Sequence, residues 1–302
     1  MSRKQTGLRL WVEGARLRTL PLAIAPVAIG AGSAKAYQSF NLGLSLLALL
    51  VALFLQIGVN FANDYSDGIR GTDNKRVGPL RLTGSKSVRP QAVKNAAFIF
   101  FALAAVCGLA IVALTGFWWF LIVGAVSIVA AWFYTGGKSP YGYAGMGEVA
   151  VFVFFGLVAV YGTAYIQVHA LTFESLAGGV AAGLFASAVL MVNNIRDLEL
   201  DQHVGKRTLA VRVGKKWAKV IYFAMLWLPM VILFPFPFIY PATFFTWAVL
   251  FLIVPATLIV AMAKTPKELI LALKLTSFSA LAYGVLFGFG LAAFNFAILP
   301  LP

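Results

Sequence analysis

The sequence predicts an all-α membrane protein with nine transmembrane helices around a central cavity and a cytoplasmic N-terminus. Of its 302 residues, 61% are hydrophobic and only 11% are charged, whereas about a quarter of a soluble domain is charged. The apolar residues form blocks of roughly 20, the length of helix that crosses about 30 Å of hydrocarbon. Alternating segments, the pattern of a transmembrane barrel, do not occur in the sequence. In lipid every backbone N–H and C=O group needs a hydrogen-bond partner within the protein, and helices provide one, so the spans are expected to be helices.

The distribution of Lys and Arg among the loops gives an independent test of the number of spans. Cytoplasmic loops are rich in Lys and Arg, and with the N-terminus inside only Lys35 of the 24 Lys and Arg residues falls outside. We therefore expect a multi-pass protein of the cell membrane, whose net charge of +14 reflects topology and not nucleic-acid binding. The predicted spans are roughly 19–36, 41–63, 93–115, 117–136, 146–168, 175–195, 217–238, 241–263 and 274–297.

The chain is expected to form one integral membrane domain over residues 1–302. Residues 1–18 are predicted to form a basic amphipathic segment on the cytoplasmic side, before the first span. A cleaved signal peptide is disfavoured, because the basic stretch is long and many more spans follow. Residues 64–92 and 196–216 predict two cytoplasmic loops that carry the polar motifs.

Acidic residues concentrate in two short segments. Six of the ten Asp and Glu residues lie within 64–73 and 197–201, each at the cytoplasmic end of an apolar span. In the first segment Asn60, Asp64 and Asp67 are spaced at i, i+4 and i+7, so they share one face of a helix.

The second acidic segment repeats this spacing. Asn193, Asp197 and Asp201 lie at i, i+4 and i+8 and also share one helix face. The two motifs have the character of a weak internal duplication. We expect them to face each other across the central cavity.

Crowded carboxylates indicate a divalent metal. At a surface-like dielectric each close pair repels by roughly 4 kcal/mol at about 4 Å, and a divalent cation relieves that repulsion. Ligands that are all oxygen favour Mg²⁺, Mn²⁺ or Ca²⁺, and Mg²⁺ usually shares its shell with phosphates. Gly68 and Gly71 predict the end of the first helix, from where Asp73 would reach back from a loop.

Basic residues accompany each acidic segment. Acids that hold a metal beside bases that hold phosphate oxygens make a diphosphate site. Positive-inside anchoring explains many of the same bases, so the pattern leaves both roles open. The bases are Arg70, Lys75, Arg76, Arg81 and Lys86 near the first segment and Lys206, Arg207 and Arg212 near the second.

At these motifs the sequence resembles the UbiA superfamily of intramembrane aromatic prenyltransferases. N-D-x-x-D, followed two-thirds of the way along the chain by D-x-x-x-D, is that superfamily's signature. Within it the sequence is most similar to the 1,4-dihydroxy-2-naphthoate polyprenyltransferases of menaquinone synthesis. The similar stretches are Asn63 to Gly84 (NDYSDGIRGTDNKRVGPLRLTG), Tyr134 to Glu148 (YTGGKSPYGYAGMGE) and Val192 to Gly214 (VNNIRDLELDQHVGKRTLAVRVG).

The resemblance implies Mg²⁺-dependent transfer of a polyprenyl group from an allylic diphosphate to 1,4-dihydroxy-2-naphthoate, with loss of diphosphate and CO₂. It implies two metal ions, with Mn²⁺ as an alternative to Mg²⁺. The Lys and Arg content of the loops predicts that both motifs lie on the cytoplasmic side of the membrane. The implied ligands are Asp64 and Asp67 for one ion and Asp197 and Asp201 for the other. Asp73 would ligate metal or orient a base.

Further residues receive a substrate-binding role through the resemblance. Lys138 would bind the acceptor carboxylate or the diphosphate, with a purely topological role as the alternative. Phe152, Tyr161 and Trp132 are candidates for the apolar wall that shields an allylic cation. The remaining candidates are Asn60, Asn63, Arg70, Lys75, Arg76, Arg81, Asn193, Asn194, Lys206, Arg207, Tyr134 and Tyr141.

Two alternatives stay open from the sequence. One is a divalent-cation transporter, whose acids would sit near the bilayer midplane and not at one end of the spans. The other is a prenyltransferase with a different acceptor, such as 4-hydroxybenzoate, homogentisate, haem or a lipid glycerol phosphate.

Overall fold

The computed structural model describes residues 7–72 and 80–293, and every regular element within these ranges is a helix. The predicted all-α class is therefore confirmed. The α-helices are α1 (Gly7–Ala15), α2 (Pro21–Ala36), α3 (Leu42–Arg70), α4 (Pro90–Thr115), α5 (Phe120–Phe133), α6 (Gly147–Val151), α7 (Ala159–Val168), α8 (Phe173–His203), α9 (Leu209–Leu233), α10 (Leu250–Met262) and α11 (Leu269–Ala292). A π-helical segment, Phe152–Val158, joins α6 to α7, and the 3₁₀ segments are Leu17–Thr19, Tyr141–Ala144, Phe236–Phe238 and Pro241–Val249.

Seven helical stretches within the described ranges are long and apolar enough to cross a membrane. An eighth span is the pair Gly7–Thr19 and Pro21–Ala36, which is bent by 50°. The chain is thus a multi-pass membrane protein. Nine complete spans stay a prediction, because α5 has only 14 residues and rises about 21 Å, less than the hydrocarbon thickness.

Two helices are much longer than their predicted spans. Helix α3 has 29 residues and α8 has 31, which correspond to about 43 Å and 46 Å of rise. Both continue as helix beyond positions 63 and 195, where the apolar spans were expected to end. The acids of both motifs within the described ranges therefore lie on rigid helical extensions.

Helix α8 lies at the centre of the bundle, and the other spans surround it. Of its apolar window, 78% is buried inside the protein, against 22–44% for the other spans. Helix α11 closes the bundle against α2 through small residues, since a Cβ added at Gly32 would lie 2.1 Å from the carbonyl oxygen of Gly288. Such backbone approach is how helices pack in lipid.

The two ends of the bundle are closed differently. At one end α1 packs on α3, with the Trp11 and Phe61 rings edge to face at 5.6 Å. At the other end the buried Glu174 carboxylate accepts hydrogen bonds from the hydroxyls of Tyr37 at 2.9 Å and Tyr240 at 2.6 Å.

Candidate active site

The carboxylate of Asp64 organises the loop that follows α3. Asp64 is fully buried, and its two oxygens accept hydrogen bonds from the backbone N–H groups of Leu82 and Thr83, both at 2.8 Å. A carboxylate bonded by backbone amides is held strongly, since charge-assisted bonds are about twice as strong as neutral ones. Each oxygen keeps a second lone pair, so the metal role expected of Asp64 stays a prediction.

Glycine allows this loop to close on the helix. A Cβ added at Gly68 would lie 2.4 Å from Cβ and Cγ2 of Thr83, so a larger residue would push the loop away. Leu82 is fully buried, within 3 Å of the position a Cβ at Gly14 would take. Gly71 ends the helix with φ of +72°, which confirms the predicted helix end there.

Asp67 connects the two motifs. Its Oδ1 lies 3.2 Å from Nζ of Lys206, which follows α8, and its Oδ2 lies 3.9 Å from Nη2 of Arg81. The hydroxyl of Tyr143 also donates to Oδ1, and Lys206 Nζ sits 4.4 Å from the centre of the Tyr143 ring. Burial, and then the charge of Asp67, raises the pKa of Tyr143, so this hydroxyl keeps its proton and donates.

Asp197 is neutralised within its own helix. The guanidinium of Arg196 donates to both carboxylate oxygens, with Nε–Oδ1 at 2.7 Å and Nη2–Oδ2 at 2.6 Å. Arg196 Nη2 also donates to Oδ1 of Asn193 at 2.8 Å. Asp201, one turn further along α8, is 8% exposed.

The donor set fits a divalent cation, although cations of the protein hold the carboxylates here. Within residues 7–72 and 80–293 no three His, Cys, Asp or Glu side chains are gathered closely enough to hold a metal ion. Buried carboxylates on α3 and on α8 nevertheless supply the oxygen donors that Mg²⁺ prefers. Lys206 and Arg196 occupy the positive positions beside Asp67 and Asp197.

A cavity of about 880 Å³ opens beside these residues. Its size lies in the upper part of the range for ligand pockets. One end is polar, and the rest is apolar wall contributed mainly by α2–α5 and α7. The polar lining includes Glu13, Arg16, Arg18, Thr19, Gln56, Asn60, Asn63, Arg81, Tyr134, Tyr141, Asn193, Arg196 and Lys274.

The asparagines that were predicted as site residues form hydrogen bonds with different parts of the protein. Asn60 Nδ2 donates to the Ala15 carbonyl at 3.0 Å and to Thr19 Oγ1 at 3.1 Å, which fastens the N-terminal segment to α3. Asn63 Oδ1 accepts from the Thr135 hydroxyl at 2.8 Å. Asn194 points away from the cavity, because its amide donates to Glu148 Oε1 at 2.9 Å.

The loop after α5 contributes further predicted residues. Arg70 donates to the carbonyl oxygens of Thr135 and Gly137, so it holds this loop in place. Tyr141 lines the cavity and donates to the Ala130 carbonyl at 2.7 Å, and burial raises its pKa to about 12.

The other predicted residues divide into exposed, cavity-lining and undescribed positions. Lys138 and Arg207 are exposed, while Tyr134 lines the cavity. Asp73, Lys75 and Arg76 lie outside the described residues.

Some contacts at this site escaped the sequence reasoning. Tyr143 and Arg196 lie within the quoted motifs, but the sequence does not assign either to a partner. The fold brings Tyr143 to Asp67, and Arg196 bonds its neighbour Asp197. The wall candidates Phe152, Tyr161 and Trp132 are not among the aromatic residues that line the cavity. Those that line the cavity are Phe120, Phe154, Phe155, Tyr134 and Tyr141.

An apolar cavity within a membrane bundle, capped at one end by carboxylates, amides and guanidinium groups, defines an intramembrane enzyme for amphiphilic anionic substrates. The chain belongs to the UbiA prenyltransferase family, which it matches over residues 23–268. The predicted family and the enzyme class are confirmed, and the transporter interpretation is set aside.

Similarity to individual relatives extends over most of the chain. It is 52% identical over 216 residues to the 1,4-dihydroxy-2-naphthoate octaprenyltransferase of Mycobacterium tuberculosis, covering 72% of this chain and 74% of the relative. It is 44% identical over 211 residues to the enzyme of the same name from Escherichia coli, covering 68% of each.

The fold is shared with a UbiA homolog from Archaeoglobus fulgidus whose structure was solved with GPP and Mg²⁺ bound. The TM-score is 0.62 at 16% identity, over 94% of this chain and 99% of that one.

Replacing Asp64 with Asn tests its role in holding the loop. An amide offers one acceptor oxygen where the carboxylate offers two, so a backbone N–H loses its partner. A hydrogen bond to a charged group is worth roughly 1.5–3 kcal/mol. We expect the Leu82 and Thr83 amides to exchange hydrogen roughly 10- to 100-fold faster. Glu199→Gln, an exposed change on α8, is the control; equal protection in Asp64→Asn and wild type would contradict the role.

Proposed function

We propose that this protein transfers a polyprenyl group from an allylic polyprenyl diphosphate to 1,4-dihydroxy-2-naphthoate. Diphosphate and CO₂ leave, and the product is demethylmenaquinol. The observation that carries the proposal is the 880 Å³ cavity, whose polar end adjoins the two linked Asp motifs. The names of the relatives at 44–52% identity support the choice of acceptor.

The four aspartates are proposed to hold Mg²⁺, which would neutralise the diphosphate as it leaves. Asp64 and Asp67 on α3 would take one ion, and Asp197 and Asp201 on α8 the other. Support comes from the burial of all four carboxylates within the two linked motifs and from the Mg²⁺ and GPP reported for the Archaeoglobus homolog. Mn²⁺ has the same ligand preference.

The protein's own cations are proposed to bind the diphosphate. Lys206, Arg81 and Arg196 already lie on carboxylates at this end of the molecule. Phosphate oxygens compete for them, because ammonium and guanidinium groups bind carboxylate and phosphate alike. Moving these cations to the substrate would free carboxylate oxygens for metal.

The apolar wall is proposed to protect the reacting carbon. When the C–O bond to diphosphate breaks, the bonding electrons leave with the diphosphate and an allylic cation remains. Aromatic faces such as Phe154 and Phe155 stabilise positive charge and exclude water. An electron-rich ring carbon of the naphthoate then attacks, and the carboxylate leaves as CO₂.

The active site is proposed to face the cytoplasm. Both motifs sit at the same ends of α3 and α8, and the positive-inside pattern of the loops assigns those ends to the inside of the cell membrane.

The direct test is an assay with purified protein, radiolabelled polyprenyl diphosphate, Mg²⁺ and carboxyl-labelled 1,4-dihydroxy-2-naphthoate. We expect a lipid-soluble quinol and labelled CO₂ in equal amounts, and both should stop when EDTA removes the metal. Turnover with 4-hydroxybenzoate or homogentisate but not with the naphthoate would overturn the acceptor assignment.

Changing Lys206 to Gln should weaken binding of the diphosphate. The variant loses one charge-assisted bond to phosphate, so we expect KM for the polyprenyl diphosphate to rise roughly tenfold or more. Lys215→Gln removes an exposed charge nearby and serves as the control. An unchanged KM in Lys206→Gln would remove Lys206 from the diphosphate site.

Labelling of single cysteines tests the orientation. In a Cys107→Ser background, Lys35→Cys and Lys138→Cys place thiols at exposed positions near opposite ends of the bundle. A membrane-impermeant maleimide should label position 35 in intact cells and position 138 only after permeabilisation. The reverse pattern would place the active site on the outer side.

A further inference from the structure

Among the residues that line the polar end of the cavity, Arg16 and Gln56 each carry a buried atom without a hydrogen-bond partner. Nη2 of Arg16 and Oε1 of Gln56 are both inaccessible to solvent, and neither has a partner anywhere in residues 7–72 and 80–293. Both residues line the cavity. Buried polar groups are almost always paired, so an unpaired donor and an unpaired acceptor in one cavity indicate a missing ligand.

Arg16 is held in an unusual backbone conformation. Its φ of 55° and ψ of 63° are left-handed, a region that non-glycine residues rarely adopt. Two bonds fix the chain around it: Asn60 Nδ2 donates to the carbonyl of Ala15 at 3.0 Å, and the Thr19 hydroxyl donates to the carbonyl of Arg16 at 3.0 Å. Such strain persists where surrounding contacts enforce it, often at functional sites.

Gln56 is anchored to the same turn. Its Nε2 donates to Oγ1 of Thr19 at 2.9 Å, and the residue is 5% exposed. With its amide nitrogen fixed, Gln56 presents its oxygen as an acceptor. Through Thr19, the unpaired oxygen of Gln56 and the unpaired guanidinium nitrogen of Arg16 belong to one hydrogen-bonded unit.

Within the polar end of the cavity, this pair is set apart along α3 from Asp67 and Lys206. Gln56 precedes Asp67 by 11 residues on α3, which corresponds to about 16 Å along the helix. The cation nearest the Asp motifs on α8, Arg196, is already bonded to Asp197 and Asn193. Arg16 and Gln56 therefore meet a different part of the substrates from the diphosphate.

We propose that Arg16 and Gln56 bind the aromatic acceptor, with the Arg16 guanidinium on its carboxylate and the Gln56 oxygen accepting from a ring hydroxyl. The inference rests on the proposed function. A prenyl chain has no polar atom for either group. An aromatic hydroxy acid carries an anionic acceptor and a hydroxyl donor, the complement of the pair.

The pair would also determine specificity. A site built to hydrogen-bond a substrate group rejects analogues that lack the group, because its own polar atoms stay unpaired. An acceptor without a carboxylate leaves Arg16 unpaired, and one without hydroxyls leaves Gln56 unpaired. The unit formed through Thr19 therefore selects for aromatic acids with hydroxyl groups.

The test compares two variants, two substrates and one truncated acceptor. For Arg16→Gln, KM for 1,4-dihydroxy-2-naphthoate should rise roughly 10- to 100-fold, the loss expected for a hydrogen bond between charged groups. For Gln56→Leu, which removes a hydrogen bond between neutral groups, it should rise roughly two- to tenfold. KM for the polyprenyl diphosphate should stay unchanged. Binding of 1,4-dihydroxynaphthalene, which lacks the carboxylate, should be equal in wild type and Arg16→Gln, while Gln56→Leu should weaken it.

Controls separate this proposal from the proposed reaction. Arg9→Gln removes an exposed charge from α1 that pairs only with Glu13 in the described chain, at 3.5 Å, and should leave both KM values unchanged. Equilibrium binding of the naphthoate to wild type and Arg16→Gln, without diphosphate, gives a readout that does not need turnover. Equal affinity in the two proteins, or a rise in KM confined to the diphosphate, would overturn the inference even if wild type makes quinol.

Discussion

Neutralising buried carboxylates at one end of an apolar bundle is the constraint on which the site depends. An unpaired carboxylate there is costly. Asp64 receives two backbone N–H groups, Asp67 a lysine and a tyrosine hydroxyl, and Asp197 a guanidinium. Asp64 thereby positions the loop after α3, and Asp67 positions the chain after α5 and Lys206 after α8, whereas Asp197 is neutralised within its own helix.

At the opposite end of the bundle a buried carboxylate is stabilised in a different way. Glu174 is bonded there by two tyrosine hydroxyls, which are neutral donors. Burial together with Glu174 raises the pKa of Tyr37 and of Tyr240, so both hydroxyls keep their protons. A carboxylate bonded by neutral hydroxyls holds helices together, whereas the ammonium and guanidinium groups on the other carboxylates can also bind phosphate. Only the second arrangement adjoins the cavity.

Sequence reasoning predicted what helical periodicity and chemistry dictate. The spacing of Asn60, Asp64 and Asp67 required a shared helix, and α3 extends through them; Gly71 ended that helix as expected. Periodicity has no information about partners distant in the chain, however. The contact of Tyr143 with Asp67, and that of Asn60 with the turn around Arg16, depend on how the loops fold back onto the bundle. Asn194 illustrates the same limit, because its neighbour Asn193 faces the cavity while Asn194 bonds Glu148.

The cations on the aspartates link metal and diphosphate in the proposed reaction. While Lys206 and Arg196 lie on Asp67 and Asp197, metal ions compete with them for oxygen. A diphosphate that draws these cations away removes that competition, and a metal that displaces them makes them available to phosphate. Binding free energies couple reciprocally, so each ligand would strengthen the other. In the proposed reaction, buried carboxylates that are neutralised before substrate binds would give a stable resting state, and the diphosphate site would assemble when substrate arrives.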